Sequence, residues 1–503
     1  MKRKSKGLGV QFFNSMTYAH SGKPFEKLAV YVFIFVVFCI LGATFLVNNP
    51  ISFSVDDAYI TIANSELILR GGPDLFGNYL PTGVTSPIHL FLETMLSSVF
   101  GGVNGAYIAA VSMAVIYSAG LWKMFSVCFK NKALALCGGI IGLVSGGTWM
   151  QLMNGLETGM AMAAVTWSIF LLFKQRYTLL SILCAALPFI RPELVFLTFF
   201  VSVFCMWDLR YRRYDQLRFL FVLCFVGCAI ALAVYFVTGS VVPLTAEAKT
   251  AFFARPSDGF LDRVAVAFSL VFRSPIAMVL AGSVFLIYSR IGIPYLALFF
   301  SIIFAAALEL PDALYHNWFR YLYILLPIGL FGWGLLFSRF MFIRSVVYVA
   351  TFLSACMFIV SGWRDYKEAL SLNLSQRDVA EWISKNAEYN GRILIHDAGY
   401  VPWYLQFVSS RTDLYAVDVV GLKTPSSIAI NKEFIKSTNG ADRWKAVNRI
   451  ACKGSVNYLI DLDVPFWADI SLDLRDAGWR LDHLFGGPGG YNIYRTSSDM
   501  CSK

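Results

Sequence analysis

Two adjacent acids, Asp56 and Asp57, are the side chains of this sequence best suited to chemistry. They follow the first long apolar stretch, about where the chain would leave a bilayer. An acid there is costly against lipid but useful towards water and a substrate. Ser54 could cap a helix that starts at the pair, and the helix dipole would then favour the ionised form of both acids. The pair could therefore be catalytic, or it could only cap the helix.

The composition is that of a protein with many membrane-spanning helices. Of 503 residues, 57% are hydrophobic and 15% are charged, and the mean hydropathy of +0.60 lies far above the soluble range. The net charge of +10 does not indicate a nucleic-acid partner, because much of the positive charge lies in short clusters between apolar segments. The partner that this composition predicts is the lipid bilayer.

Apolar segments and the charges between them predict about eleven or twelve transmembrane helices in residues 1–361. The basic clusters place the N-terminus in the cytoplasm, and they agree only if segment 87–102 enters and leaves on the outer side. At ~1.5 Å per residue this segment reaches only about 24 Å, less than the ~30 Å hydrocarbon core. We therefore prefer a re-entrant or interfacial helix there, with a full span as the alternative. The predicted spans are 28–47, 104–127, 132–149, 156–173, 177–191, 193–207, 217–238, 274–289, 291–309, 319–337 and 345–361.

This topology brings several polar stretches to the outer face of the membrane. The first outer loop, residues 48–86, carries the acidic pair, and residues 191–193 fall at an outer helix junction. Charges that converge at one membrane face are better explained by a site than by solvation alone. The polar stretches are 56–86, 151–158, 240–273 and 309–320.

Residues 362–503 are soluble in character and follow the last predicted span, so we expect them outside the cytoplasm. Ser375 could cap a helix through Ala387. Cys452 and Cys501 could pair in an oxidising compartment, a pairing that the sequence leaves open. A small α/β domain with a partly parallel sheet is predicted, because helical runs alternate with strand-like ones at 392–396, 413–418, 457–461 and 491–495.

Six short motifs stand in order along the predicted membrane part. They are residues 56–60 (Asp-Asp-Ala-Tyr-Ile), 83–87 (Gly-Val-Thr-Ser-Pro), 154–158 (Asn-Gly-Leu-Glu-Thr), 191–193 (Arg-Pro-Glu), 243–249 (Pro-Leu-Thr-Ala-Glu-Ala-Lys) and 318–321 (Trp-Phe-Arg-Tyr). Together they resemble the motifs of GT-C membrane glycosyltransferases that use a polyprenyl-phosphate sugar donor. Within that group the chain most resembles the terminal arabinofuranosyltransferases of mycobacterial arabinan and those that modify type IV pilin. Relatives often carry an aromatic–Arg pair soon after the acidic motif, whereas residues 62–64 here are Ile, Ala and Asn.

The resemblance implies an activity and roles for single residues. A sugar, arabinofuranose by the resemblance, would pass to an acceptor glycan or pilin-like protein at the periplasmic face of a bacterial inner membrane. Asp56 would be the base for the acceptor hydroxyl, and Asp57 would position Asp56 or bind acceptor hydroxyls. The leaving phosphate needs cations at fixed places, and the candidates are Lys249, Arg320 and Arg191, with Arg255 and Arg263 behind them. The candidates for contact with the sugar or acceptor are Glu157, His316, Trp318 and Tyr59.

Structural interpretations of these residues stay open beside the functional ones. Arg191 could pair with Glu193 or Glu157, Lys249 could be a lysine that reaches the membrane edge, and His316 could be an interfacial histidine without a role. The sequence requires no cofactor, although a divalent cation at the phosphate stays open. For the whole protein the alternatives are a hexose or aminosugar transferase on the same carrier, a lipid-linked sugar transporter or flippase, and a non-catalytic binding protein.

Overall fold

The structure is a computed structural model, and it describes residues 23–47, 52–53, 55–253, 259–309, 314–339, 344–463, 469–487, 490–498 and 501. Helices form the described chain up to Asn386, and a five-stranded sheet with further helices follows. This architecture confirms the predicted fold class, a helical membrane protein with a C-terminal α/β region.

Long apolar runs form helices in the first part of the chain, because backbone groups in lipid can be satisfied within a helix. Each predicted span coincides with one helix or with two consecutive helices. Short 3₁₀ segments at Pro192–Leu194, Ala281–Tyr288 and Arg290–Gly292 join some of them. The helices are α1 Lys23–Val47, α2 Asp56–Arg70, α3 Pro87–Phe100, α4 Gly102–Cys128, α5 Lys132–Val144, α6 Thr148–Met153, α7 Thr158–Phe173, α8 Tyr177–Ile190, α9 Val195–Asp208, α10 Arg213–Thr238, α11 Thr245–Phe252, α12 Phe260–Arg273, α13 Ala277–Leu280, α14 Ile293–Glu309, α15 His316–Tyr323, α16 Leu326–Arg339 and α17 Arg344–Asn386.

The helices that are long and apolar enough to cross a membrane are fewer than the predicted spans. Among the described residues there are four such helices, or six if each of two bent pairs is one span. Shorter apolar helices, such as α5, α7 and α8, account for much of the difference. The four long spans are Glu26–Val47, Gly102–Cys128, Arg213–Thr238 and Arg290–Leu308.

The ambiguous segment 87–102 folds as helix α3, with 14 residues. Ser86 caps this helix, because its hydroxyl oxygen accepts a hydrogen bond from the backbone N–H of His89 at 3.3 Å. Pro87 occupies the first helical position, where no N–H is needed. Fourteen residues reach about 21 Å, which is short for a span. The interfacial or re-entrant interpretation stays a prediction that this length favours.

Helix α17 carries the chain from the last predicted span into the C-terminal region without a break, over 43 residues. The predicted boundary at residues 361 and 362 therefore falls inside a helix. The prediction that Ser375 caps a separate helix is wrong, because the helix is already formed on the N-terminal side of Ser375.

The C-terminal sheet has strand order β2-β1-β3-β5-β4. Strand β1 pairs in parallel with β2 and β3, while β5 pairs antiparallel with β3 and β4, so the predicted partly parallel sheet is confirmed. Strand β4 was not predicted from the sequence, because this edge strand is largely exposed and has no buried apolar face. The strands are β1 Arg392–Ile395, β2 Tyr415–Asp418, β3 Tyr458–Leu462, β4 Arg480–Gly486 and β5 Tyr491–Ser497. The helices between them are α18 Tyr400–Trp403, α19 Pro425–Asn431, α20 Arg443–Gly454 and α21 Ile470–Asp476.

The sheet region packs against the first outer loop. The backbone N–H of Ala416 in β2 donates to the carbonyl oxygen of Leu75 at 2.8 Å. Lys423, which is buried, lies 2.9 Å from the Asp74 carboxylate and donates to the Asn64 side-chain oxygen at 2.8 Å. A buried ion pair of this kind holds its two elements in one arrangement, because separating the partners would leave a charge uncompensated.

Candidate active site

Helix α2 begins at Asp56, so both acids of the pair lie in its first turn. Val55 stands before them and makes no side-chain cap, and the predicted cap Ser54 lies outside the described residues. The two carboxylates point to different surroundings. Asp57 faces the membrane part, and Asp56 faces the C-terminal region.

Asp57 lies at the centre of a basic cluster. Its Oδ2 is 3.2 Å from Lys249 Nζ, 3.5 Å from Arg320 Nη1 and 3.6 Å from His316 Nε2. Asn317 Nδ2 donates to the same oxygen at 3.4 Å. Burial alone would raise the pKa of Asp57, but Lys249 and its neighbours hold that pKa well below its usual range. Asp57 is therefore ionised, and it partly neutralises a concentrated positive charge.

Asp56 is held by the backbone that follows β1. The N–H of Gly399 donates to its Oδ2 at 2.8 Å, and the N–H of Tyr400 donates to its Oδ1 at 2.6 Å. Burial, followed by the negative charge of Asp397, raises the pKa of Asp56 well above its usual value. Adjacent acids with pKa values pushed apart are typical of sites where the two carboxylates have different roles.

Arg191 is completely buried and contacts both of its predicted structural partners. Its Nη1 is 2.9 Å from Glu157 Oε1, although these atoms are not aligned for a hydrogen bond, and its Nη2 donates to Glu193 Oε1 at 3.1 Å. Its guanidinium also lies 4.6 Å from the centre of the Tyr321 ring. Arg191 therefore holds Glu157 in place, and it does not line the pocket described next.

A narrow pocket of about 20 Å³ lies beside Asp57. Such a volume holds about one water molecule, so a sugar phosphate could enter only if the surrounding elements moved apart. Arg320 contributes a buried Nε that has no hydrogen-bond partner among the described residues. The lining residues are Asp57, Ile60, Thr61, Gly83, Thr85, Ser86, Leu156, Glu157, Thr245, Lys249, Arg320 and Leu422.

A larger cavity of about 320 Å³ lies elsewhere, between residues 175–179 and 212–219. It is lined by none of the predicted site residues, and it adjoins loops that the charge pattern predicts to be cytoplasmic. Since Lys249 and Arg320 from two of the motifs meet at Asp57, and Glu157 from a third lines the same pocket, the smaller pocket is the candidate site.

An unusual backbone turn positions His316 and Arg320. The three residues between them, Asn317, Trp318 and Phe319, all have left-handed φ angles of 50°, 56° and 63°. Such a conformation costs about 1–3 kcal/mol for a residue other than glycine, and it persists only where neighbours enforce it. The enforcing neighbour here is Gln151, whose Nε2 donates to the carbonyl oxygens of Asn317 at 2.9 Å and Trp318 at 3.2 Å.

Gln151 also connects this turn to the motif at residues 154–158. Its Oε1 accepts a hydrogen bond from Asn154 Nδ2 at 3.1 Å, and Asn154 Oδ1 accepts one from the N–H of Leu156 at 2.9 Å. Gly155 has a φ of 75°, and a Cβ there would lie 2.6 Å from the Phe53 ring. The glycine of this motif is therefore required both by backbone conformation and by the close approach of Phe53.

Not all predicted sugar or acceptor contacts reach the pocket. Tyr59 is buried, its hydroxyl accepts a hydrogen bond from the N–H of Phe53 at 3.1 Å, and its ring packs on Tyr400 with centroids 4.7 Å apart. Trp318 is partly buried against the core. Neither lines the pocket, whereas Glu157 does and His316 lies at the Asp57 carboxylate.

The remaining candidates can also be located. Arg263 donates to the carbonyl oxygen of Leu308 at 2.9 Å, away from Asp57, and Arg255 lies outside the described residues. Across the described ranges, no three His, Cys, Asp or Glu side chains are grouped as metal ligands are.

Sequence reasoning missed three side chains that organise the site, namely Asn317, Gln151 and Gln376. Gln151 stands at the end of a long apolar stretch and Asn317 stands next to a motif, so both carried a signal that could have been used. Gln376 is one polar residue among many on α17, and the sequence offers nothing that distinguishes it.

The fold around this site resembles that of a protein of known structure, ArnT. Two crystal structures of ArnT from Cupriavidus metallidurans resemble the chain over 94% of its length and 98% of theirs. The structure bound to undecaprenyl phosphate has a TM-score of 0.55 at 12% sequence identity, and the apo structure has 0.51 at 11%. Residues 364–498 match a family described as "Domain of unknown function (DUF8728)". No curated protein matches the sequence.

Proposed function

We propose that this protein is a glycosyltransferase that moves a sugar from a polyprenyl-phosphate carrier to an acceptor at the outer face of the membrane. The observation that carries the proposal is the cluster of Lys249, Arg320 and His316 around one oxygen of Asp57. A fold shared with ArnT, which has been crystallised with undecaprenyl phosphate, supports the choice of carrier.

The proposed reaction develops negative charge on the leaving phosphate. The acceptor oxygen bonds to the anomeric carbon, the bond from that carbon to the phosphate oxygen breaks, and the phosphate keeps the electron pair. Lys249 and Arg320 would stabilise this charge, because both line the pocket and both can share their positive charge between Asp57 and a phosphate. Arg191 would act through Glu157, which it holds at the pocket wall.

The proton of the acceptor hydroxyl needs a base, and we assign this role to Asp56. Asp57 is a weak base because the surrounding cations lower its pKa. Asp56 has a raised pKa, and a base works best when its pKa lies near the working pH. Asp56 is covered by residues 399–400 in this conformation, so an acceptor would reach it only when that segment moves.

Arabinofuranose is the proposed sugar, and it rests on the motif resemblance alone. A hexose or an aminosugar on the same carrier is the alternative, and the proposed acceptor is a glycan or a pilin-like protein. The test is to supply purified protein with polyprenyl-phosphate pentose and hexose donors and to measure the mass added to candidate acceptors. Addition of a hexose but not a pentose would reject arabinofuranose and keep the class of enzyme.

A transporter or flippase of lipid-linked sugar is the alternative from a different class. The two functions differ in the fate of the carrier bond, which a transferase breaks and a transporter leaves intact. Measuring release of free polyprenyl phosphate in detergent, where no compartments exist, separates them. Movement of intact donor across vesicles without any release of free carrier would reject the enzyme.

The proposed location is a bacterial inner membrane, with the site and the C-terminal region on the periplasmic side. Cys452 and Cys501 form a disulfide bridge, so the pairing that the sequence left open is present. Disulfides persist in oxidising compartments and are rare in the cytosol. The bridge therefore supports the outer location that the charge pattern predicts.

A further inference from the structure

We propose that the C-terminal region after residue 361, here called the C-terminal domain, completes the active site. In this proposal Asp397 is a positioning residue that sets the protonation of Asp56. This inference rests on the proposed function, because it takes Asp56 to be the base. It assigns a role to a domain that otherwise has only a structural description.

Among the described residues, every hydrogen bond to the Asp56 carboxylate comes from the part of the chain after residue 370. Besides the N–H groups of Gly399 and Tyr400, Gln376 Nε2 donates to Oδ1 at 3.4 Å. The same Gln376 nitrogen donates to the Tyr491 hydroxyl at 3.0 Å, and that hydroxyl donates to Asp397 Oδ2. A short chain of polar groups therefore joins the two carboxylates.

This chain lies at the place where the domain's fold would be expected to bind a ligand. In sheets with parallel strands, ligands bind beyond the carboxyl ends of the strands, at the point where the strand order reverses. Here β1 lies between β2 and β3, and the segment that follows β1 carries Asp397, Gly399 and Tyr400. Asp56 of the membrane part occupies that position.

The fit at this position is close enough to require a glycine. A Cβ on Gly399 would lie 2.0 Å from the backbone oxygen of Asp56 and 2.7 Å from its Oδ2. Tyr59, one turn further along α2, packs against Tyr400 and Trp403 with ring centroids 4.7 Å and 5.0 Å away. Backbone, carboxylate and aromatic contacts thus all hold the same two segments together.

The titratable groups that face Asp56 are Asp57 and Tyr59 on its own helix, Asp397 after β1 and Tyr491 on β5. Behind Asp397 lies His396, whose Nε2 is 3.7 Å from Asp397 Oδ1 and whose Nδ1 is 3.9 Å from Asp461 Oδ1. The Tyr491 hydroxyl donates to Asp397 Oδ2 and thereby fixes the position of that carboxylate.

Two carboxylates in a site that excludes water resist being ionised together. A negative charge on Asp397, whose carboxylate accepts a hydrogen bond from the Tyr491 hydroxyl, makes ionisation of Asp56 more costly. This agrees with the raised pKa of Asp56, to which burial contributes first and Asp397 second. The consequence is that Asp56 becomes a stronger base than an ordinary carboxylate, as proton abstraction from an alcohol requires.

The test is the pH profile of transfer in Asp397→Asn, compared with Asp482→Asn as the matched control. Asp482 is exposed on β4 of the same domain and contacts Arg480. A base must be deprotonated to act, so the acidic limb of the profile follows the pKa of Asp56. Removing the Asp397 charge lowers that pKa and should move the limb to lower pH by about one unit or more. Asp482→Asn should leave it in place.

Two further variants keep the test decisive if Asp397→Asn does not fold. Tyr491→Phe removes the hydroxyl that fixes the Asp397 carboxylate, so the charge of Asp397 acts less strongly on Asp56 and the limb should move in the same direction by less. Asp397→Glu keeps the charge and should restore the wild-type profile. A well-folded Asp397→Asn or Tyr491→Phe variant with an unmoved acidic limb would overturn the proposal.

A measurement without substrate separates this proposal from the proposed function. The infrared C=O band of a protonated carboxyl group can be followed with pH in the full chain, and subtraction of Asp56→Asn spectra isolates Asp56. The band should persist to higher pH in the wild type than in Asp397→Asn. Equal midpoints would reject the role of Asp397 even if sugar transfer is found. A shifted midpoint without any transfer would keep that coupling and reject the function.

Discussion

Adjacent residues can be given opposite chemistry by the elements that they face, and Asp56 and Asp57 illustrate how. Asp57 is surrounded by cations from α11 and α15, which stabilise its negative charge. Asp56 is buried beside another acid, which makes its negative charge costly. Because helical neighbours point in directions about 100° apart, the first turn of α2 can present one acid to each half of the molecule.

We expect Asp56→Asn to reduce turnover by roughly 10²–10⁴, the usual contribution of a general base. Donor binding should persist, because Lys249 and Arg320 do not contact Asp56. Asp57→Asn should instead alter donor binding, since it removes the carboxylate that the cations share. Transfer rates and donor affinities of both variants check this, and near-normal turnover in a folded Asp56→Asn protein would contradict it.

Lys249→Ala and Arg320→Ala should each weaken donor binding by about 10- to 100-fold. A charge-assisted hydrogen bond contributes about 1.5–3 kcal/mol, and about 1.4 kcal/mol corresponds to a factor of ten in affinity. The control is Arg263→Ala, because Arg263 donates to a carbonyl oxygen away from Asp57. Titration of each purified variant with a donor analogue measures the effect, and equal losses in all three variants would count against the phosphate site.

At the scale of elements, the site depends on segments that are not regular. The left-handed turn at residues 317–319 sets His316 and Arg320 on one side, and the segment after β1 presents two N–H groups to Asp56. Both segments are held by partners that are far away in sequence, namely Gln151 and α2. Strained or irregular backbone is common at functional sites, because contacts in the surrounding structure can offset its energetic cost.

Gly399→Ala should separate the C-terminal domain from α2, because the new methyl group would overlap the Asp56 backbone oxygen. We expect loss of most transfer activity, while the disulfide and the sheet of the domain remain formed. The matched control is Gly42→Ala in α1, where nothing lies within 4 Å of the added carbon. Transfer assays together with limited proteolysis measure the two effects. Unchanged transfer by Gly399→Ala would mean that this contact is not needed.

Periodicity predicted most of the helices, and the motifs placed the acidic pair, Lys249, His316 and Arg320 at one face of the membrane. The structure brings Asp57 together with the three basic residues. Such patterns are local, and five of the six motifs contain a charged residue of their own. The orientation of Asp56 and Asp57 to different sides could not be predicted, because it is decided by contacts such as Gly399 with Asp56, over 300 residues apart. The continuity of α17 was missed for a related reason, since its polar half resembles the start of a separate domain.

At the scale of the whole molecule, the membrane part and the C-terminal domain meet around the site, and both contribute residues to it. The phosphate-binding candidates all come from the membrane part, and the partners of Asp56 come from the domain. Leu422 of the domain also lines the pocket beside Lys249 and Arg320. A division into a catalytic core and an accessory domain therefore does not describe the contacts around the acidic pair.

The orientation of the whole molecule can be tested at Asn439, which is exposed in the C-terminal domain. A cysteine introduced there, in a background without reactive thiols, should be labelled from outside in intact cells by a reagent that does not cross membranes. The reason is that the positive-inside rule places the preceding loop in the cytoplasm. Labelling only after permeabilisation would reverse the proposed topology, and a cysteine in place of Lys130 gives the complementary cytoplasmic control.

Helix α17 has a mechanical consequence for a protein that lies in a lipid bilayer. At ~1.5 Å per residue its 43 residues reach about 65 Å, from the last predicted span to the strand that precedes Asp397. Gln376, which contacts Asp56, lies on this same rod. A helix in a thicker or thinner bilayer adjusts by tilting, and a tilt at one end of a rod displaces the other end. We therefore expect membrane thickness to affect the hydrogen bonds of the Asp56 carboxylate.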